Sequence, residues 1–276
     1  IQAVVLVMML ARFSHYFPIF YSISILLSIG AVLWLVNNRA NPAYKIVWIL
    51  VIMAFPVFGG SFYLMFSGKQ LSRHQRKKMQ SIYNKVTQYG TFQQRQDLEN
   101  QLQQDSLTAF RQSRYITNAA ITPVYQNTSG EYFPLGEDKF ARMLEELEKA
   151  EHFIFMEYFI IQEGKMWNAI FDILKRKAAQ GLDVRLMYDD VGCLLTLPYK
   201  YHQHIEQAGI KCCVFNPFVP LLNARMNHRD HRKICVIDGW VGFTGGINLA
   251  DEYINAYPKH GHWKDTGIML KGDAVW

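Results

Sequence analysis

The chain has 276 residues, half of them apolar, and carries 29 Lys and Arg against 23 Asp and Glu, a net charge of +6. That total hides three unlike segments. Residues 1–66 hold three basic residues (Arg12, Arg39 and Lys45) and no acid, residues 67–115 hold nine basic and three acidic, and residues 116–276 hold seventeen basic and twenty acidic. The largest segment is therefore mildly acidic and lacks the basic face that nucleic-acid binding requires. Cys193, Cys212, Cys213 and Cys235 show no CxxC or Cys/His array, so they suggest no metal site and read as small buried residues in a reducing compartment.

Residues 1–10 are apolar but too short to cross a bilayer, and read as the remnant of a longer or third span. Residues 16–36 and 46–66 each run 21 residues without a charge, the length that a hydrocarbon core of about 30 Å requires. Tyr16, Phe17, Tyr44 and Trp48 lie near their ends, as interfacial aromatic belts do. Two full spans are expected, joined by a short turn-forming linker. After them come Lys69, Arg73, Arg76, Lys77, Lys78 and Lys85 with no acid among them. By the positive-inside rule this places the rest of the chain in the cytoplasm, below a multi-pass anchor in the cell membrane, with a basic collar drawn to anionic lipid. The Gln-rich stretch 86–115 reads as a solvated linker, with a tether or surface helix as the alternative. A chain that opens on Ile inside an apolar run and closes abruptly at Trp276 reads as a fragment.

From about residue 116 the pattern becomes α/β. Phe140, Met143, Leu144 and Leu147 recur at helical spacing, and residues 153–161 form a strand-length apolar run. Trp167, Ile170, Phe171, Leu174 and Ala178 mark a second helix, closed by Gly181. Residues 183–188 are a second strand, 201–209 a short helix, 210–215 a third strand and 265–270 a last one. Such alternation predicts a mixed, largely parallel sheet flanked by helices.

The chemistry concentrates in residues 231–248. As a strand with a period of two, this stretch puts His231, Lys233 and Cys235 on one face. Asp238-Gly239 signals a tight turn into a second strand, which ends in Gly245-Gly246, where backbone amides can approach an anion. Glu157 interrupts a buried strand and needs a partner there; the expectation is a hydrogen bond to the site imidazole, with an edge position or salt bridge as the alternative. Asp189 and Asp190 end a strand where α/β sites often lie, but a helix cap explains them as well. His202, His204, His260 and His262 lack partner carboxylates at ligand spacing, and His228 falls on the face opposite His231.

His231, Lys233, Asp238, Gly245 and Asn248 fit His-x-Lys-x4-Asp-x6-Gly-x2-Asn at every fixed position. On this pattern the chain resembles the phospholipase D superfamily. The apolar segments, the basic linker, FMEYFII, YDDVG, NHRDHRKICVIDG and FTGGINLADEY together are similar to the bacterial cardiolipin synthases. The resemblance implies a phosphatidyl transfer without cofactor or metal. His231 would attack phosphatidylglycerol and release glycerol, and a second phosphatidylglycerol would then attack the phosphatidyl-histidine. Lys233, Asn248 and the Gly245-Gly246 amides would bind the phosphoryl oxygens, Asp238 would orient His231, and Glu157 would support the site. The family builds each site from two such motifs and this chain carries one. The other is expected beyond Trp276 or in a second copy, and residues 1–276 alone are expected to be inactive as a synthase. A hydrolytic phospholipase D or phosphodiesterase, and an inactive membrane-tethered binder of anionic lipid, are the competing readings.

Overall fold

A computed structural model describes residues 2–39, 41–67, 73–89, 96–120, 122, 124–218 and 228–275. Two compact units divide the chain, one built on residues 1–72 and the other on residues 73–219 and 228–276. Lys69 and most of the proline-containing loop 216–227 lie outside the described residues.

In the first unit α1 (Gln2–Asn37) is a single helix of 36 residues, so residues 2–10 belong to it rather than to a separate span. Its stretch Tyr16–Asn37 is long and apolar enough to cross a bilayer. The second expected span is broken into α2 (Pro42–Ala54) and α3 (Gly59–Phe66). The cause is Pro56, which lacks an amide hydrogen and drives Phe55 out of the helical region, to φ −129° and ψ 67°. The break leaves backbone groups to satisfy, and Ser28 of α1 serves two of them. Its hydroxyl donates to the Pro56 carbonyl (2.7 Å) and accepts from the Gly60 amide (3.1 Å). A Cβ on Gly60 would lie 2.8 Å from the Ser28 Cα, so glycine is what lets α1 and α3 touch at the backbone. Leu35, Ile52 and Tyr63 are buried between the helices, while Ile19, Leu26, Leu33, Met53 and Met65 point outward.

The second unit begins with α4 (Arg73–Tyr89), α5 (Gln96–Asp105) and α6 (Leu107–Ala120), so over residues 96–115 the helical alternative and not the solvated linker is what the fold adopts. The α/β part follows as β1 (Thr128–Phe133), α7 (Gly136–Glu148), β2 (Phe153–Tyr158), α8 (Lys165–Ala179) and β3 (Asp183–Asp189). After them come a short helix α9 (Asp190–Cys193), α10 (Tyr201–Gln207), β4 (Lys211–Phe215), β5 (Ile234–Ile237), β6 (Val241–Gly245) and β7 (Gly267–Gly272). The seven strands form one sheet in the order β1-β7-β6-β5-β2-β3-β4. It is mixed, as expected, but not largely parallel, because the β5–β6 hairpin and its pairings to β2 and β7 run antiparallel. β2, β3 and β4 are its parallel part, and the other four pairings are antiparallel. β1 escapes sequence reading because it is a largely exposed edge strand without apolar alternation.

Helices α7 and α8 pack on each other and on the sheet. Met143, Leu147, Trp167, Ile170 and Leu174 meet Ile154, Met156, Val184, Leu186, Cys235 and Phe243 in one core. Each such aliphatic side chain contributes roughly 1.5–3 kcal/mol on burial.

Asp238 and Gly239 both take positive φ (53° and 68°), the mirror-image geometry that suits a tight hairpin. This turn also carries a polar clamp. The Asp238 carboxylate accepts from the amides of Glu151, His152 and Phe153 at 2.7–2.8 Å, where β2 begins. Burial opposes its ionisation, but the three amides prevail and hold its pKa below the ordinary value. A depressed carboxylate pKa stabilises the fold above the unfolded value, near 3.9, and that contribution disappears as pH falls through the folded value. Asp238→Ala should cost ~2–3 kcal/mol by stranding these donors, and more than Asp238→Asn. Thermal unfolding of the detergent-solubilised protein measures both, and the stability of Asp238→Asn should depend less on acid pH than wild type.

Candidate active site

The antiparallel pairing of β5 with β2, Glu157 opposite Ile234, brings the start of β5 beside the end of β2. The end of β6 arrives at the same place, because Ile234 also pairs with Thr244. His231, Lys233, Gly245, Gly246 and Asn248 therefore gather at one end of the sheet. Asp238 does not. It occupies the opposite end of β5, bound to the amides at the start of β2, so it cannot orient His231.

His231 and Lys233 precede β5 rather than lying in it. Lys233 is nevertheless buried, on the face shared by Cys235 and Ile237, while His231 is exposed. Phe159, just past β2, underlies both: its ring centroid is 4.6 Å from that of His231 and 5.3 Å from the Lys233 ammonium. The ammonium also donates to the His231 carbonyl at 2.6 Å, closing a short ring that fixes the backbone between the two residues. Among the described residues no side chain hydrogen-bonds the His231 imidazole. Phe159 lies within a recognised motif, but only the fold reveals it as the platform.

The approach to His231 is set by a buried carboxylate. Asp189 caps α9 through the amides of Val191 and Gly192 (2.9 and 3.1 Å) and also accepts from the Asp230 amide at 2.9 Å and the Arg229 guanidinium at 3.3 Å. The capping expectation thus holds, with the added role of anchoring residues 229 and 230. Asp190 accepts from the Phe218 amide.

Glu157 does not reach the imidazole. It forms an ion pair with Arg232 at 2.5 Å, and Arg232 in turn holds Asp230 at 2.9–3.0 Å. Burial and the adjacent Asp230 push Glu157 up to about 7 despite Arg232, while Arg232 holds Asp230 well below the usual carboxylate range. The salt-bridge alternative is what the fold adopts.

Asn248 is 2% exposed with both ends of its amide engaged. Its oxygen accepts from the Ile160 amide (3.0 Å), and its nitrogen donates to the Tyr253 hydroxyl (2.9 Å). It ties the segment after β6 to the segment after β2, with one of its two amide hydrogens spent on Tyr253. The Gly246 amide donates to the Thr266 carbonyl at 3.1 Å, so it too is occupied. The double glycine serves close approach. Gly245 has φ +141°, and a Cβ on it would meet the Thr266 carbonyl oxygen at 2.4 Å. A Cβ on Gly246 would lie 2.1 Å from the Asp265 carboxylate.

Two further charged groups therefore belong to this end of the sheet. Asp265 lies against Gly246. Lys139 of α7 is 0% exposed, its stem laid over Gly267, where a Cβ would come within 2.6 Å of its Cδ. Among the described residues its ammonium has no hydrogen-bond partner. Desolvation pushes it down to about 8, against the pull of Cys235 and Asp265, with Lys233 adding repulsion. Lys233 is itself lowered by desolvation, with Asp265 and Asp230 opposing. On the same core face, burial lifts the Cys235 thiol to about 12 and the Tyr158 phenol well above its ordinary value. The result is an exposed imidazole backed by two buried ammonium groups and one carboxylate. Such a site suits an anionic ligand that a nucleophile attacks.

Beside it, past β3 and β4, a cavity of about 520 Å³ is lined by Tyr188, Leu194, Leu197, Tyr199, Val214 and Phe218, among others. Leu195, in the same loop, is 95% exposed. His202 lines this cavity, and His204 packs on Tyr201 and Phe171. His260 packs on Trp263, and the His228 carbonyl accepts from Asn216. Cys193 and Cys235 are buried as expected, but Cys213 is exposed.

Residues 143–257 match the family model described as cardiolipin synthase, PLD-like domain, and residues 26–68 match the phospholipase D-nuclease N-terminal model. The chain is 43% identical over 249 residues to an uncharacterized protein of Streptococcus mutans, covering 90% of this chain and 53% of that one. It is 35% identical over 255 residues to a cardiolipin synthase of Halalkalibacterium halodurans and 35% identical over 248 residues to one of Alkalihalophilus pseudofirmus. Each match covers 90% of this chain and 48% of the relative. The chain thus spans about half the length of the curated relatives it matches. With the motif geometry, these matches identify residues 143–257 as a phospholipase D-like domain of the cardiolipin synthase type.

Proposed function

We propose that the protein is a membrane-anchored phosphatidyltransferase that makes cardiolipin from two molecules of phosphatidylglycerol. The observation that carries this reading is the exposed His231 imidazole, seated on Phe159 and backed by Lys233 and Lys139. A neutral imidazole nitrogen attacks the phosphodiester phosphorus, and the bond to the glycerol headgroup breaks. The leaving alkoxide takes a proton from a second site imidazole, supplied by a further segment or a second copy, and departs as glycerol. The primary hydroxyl of the next phosphatidylglycerol then gives its proton to that imidazole and attacks the phosphatidyl-histidine, restoring His231. Lys233 faces the non-bridging oxygens, and Lys139 adds positive potential from behind it. Asp238 and Asn248 shape the site without touching substrate, and Glu157 holds Arg232.

A lipid substrate is supported by the apolar helix Tyr16–Asn37 and by the apolar cavity and exposed Leu195 beside the site. The basic segment after residue 66 supports a cytoplasmic site. In phosphatidylglycerol vesicles reconstituted with the protein together with the segment or second copy that supplies the second imidazole, cardiolipin and glycerol should appear in equal amounts. His231→Ala should abolish both and Lys233→Ala should lower the rate by ~100-fold or more. Phosphatidic acid in place of cardiolipin would overturn transfer in favour of hydrolysis.

Lys139 gives a sharper expectation. A lysine with a depressed pKa is charged below about 8, so activity should decline as pH rises through that value. Its burial as an unpartnered cation also costs stability, and that cost shrinks as pH rises from about 8 towards the unfolded value. Lys139→Met should therefore unfold at a temperature equal to or above wild type and yet turn over more slowly. The substitution should also move the alkaline decline upward, because the group that loses its charge near 8 is gone. Parallel rate–pH profiles and melting curves check all three effects.

A further inference from the structure

Helix α4 (Arg73–Tyr89) is not explained by the catalytic reading. Its described side chains, at residues 73, 74 and 76–85, are all exposed. Met79, Ile82 and Tyr83, at spacing i, i+3 and i+4, form an apolar stripe with 55%, 46% and 53% of their surface open. Gln80 and Asn84 lie away from that stripe, where they hydrogen-bond each other at 3.0 Å. Arg76 borders the stripe on one side and Lys78 and Lys85 on the other, with Arg73 and Lys77 on the polar back, and the helix contains no acid.

Such a segment is a poor helix in water. Seventeen residues are near the minimum for an isolated helix, and Arg73 and Lys77 repel each other one turn apart. It needs something apolar under the stripe and something anionic around it. An anionic bilayer surface offers both, since lysine and arginine stems extend along the apolar layer while their heads reach phosphates. Six peptide steps separate Ser67, which ends the apolar segment, from Arg73, at most about 20 Å of chain.

We propose that α4 is a membrane-surface helix that docks on anionic phospholipid, with Met79, Ile82 and Tyr83 at the headgroup–acyl boundary and its five basic residues on lipid phosphates. This docking depends on lipid charge and not on catalysis, so it stands or falls apart from the transferase reading. Hydrogen–deuterium exchange on the whole protein, reconstituted in vesicles of phosphatidylcholine alone or with phosphatidylglycerol, tests it. Amides of residues 73–89 should exchange roughly tenfold or more slowly when phosphatidylglycerol is present. Ile82→Asp, or Lys77→Glu with Lys78→Glu, should remove that protection and leave β2 and β3 unchanged. Equal exchange in both vesicles would overturn the proposal. So would protection that is independent of lipid or rises with protein concentration, which would mark a protein partner or a second copy as the occupant.

Discussion

The site rests on the pairing of β5 with β2, and that pairing rests on the Asp238 carboxylate. Three amides at the start of β2 converge on it, while its own positive φ turns the chain from β5 into β6. Register in a sheet is unforgiving, since a slip of one residue would send Lys233 and Cys235 to the opposite face. With Ile154 held against Ile237 at one end, Glu157 must meet Ile234 at the other, and His231 and Lys233 then arrive beside Phe159. The acid of the motif thus acts on the imidazole only through the length of a strand.

Around that register the protein spends stability on charge. Lys139 and Lys233 are buried with little compensation, and Asp189 is committed to four donors that hold the chain ahead of His231. Buried ammonium groups without full pairing are costly in an ordinary core. Their concentration at one end of a sheet, under an exposed histidine, is the signature of a site whose anionic ligand completes the balance. Gly246 and Gly267 belong to the same design. One admits Asp265 and the other admits the stem of Lys139, each by lacking a Cβ.

Much of this was legible in the sequence because it is local. Five fixed positions in eighteen residues pointed to this end of the sheet, although Asp238 lies at the other, and period-two and period-3.6 patterns gave most strands and the helices α7, α8 and α10 to within a few residues. What escaped was long-range or compositionally quiet. Asp238 stands seven residues from His231, and nothing in that spacing says that its partners are residues 151–153. Glu157 was recognised as needing a partner, but the choice between His231 and Arg232 is made by which face of β2 it occupies. Lys139 sits in a charged helix start where a lysine reads as surface, and only the bare backbone of Gly267 makes room for it. Pro56 was the available signal against a second unbroken span, outweighed by an uninterrupted apolar run. The polar, Gln-rich content of residues 86–115 favoured a solvated linker over the surface helix that α5 and α6 prove to be.

The central claim is that His231 becomes covalently bonded to phosphorus. Acid-sensitive adducts survive rapid quenching in mild base, so mass spectrometry of protein quenched during turnover on phosphatidylglycerol reads it directly. The account predicts a phosphatidyl group on the peptide bearing His231, lost on acid treatment and absent from His231→Ala. Steady turnover to cardiolipin with no adduct on that peptide, or with His231→Ala still active, would contradict it.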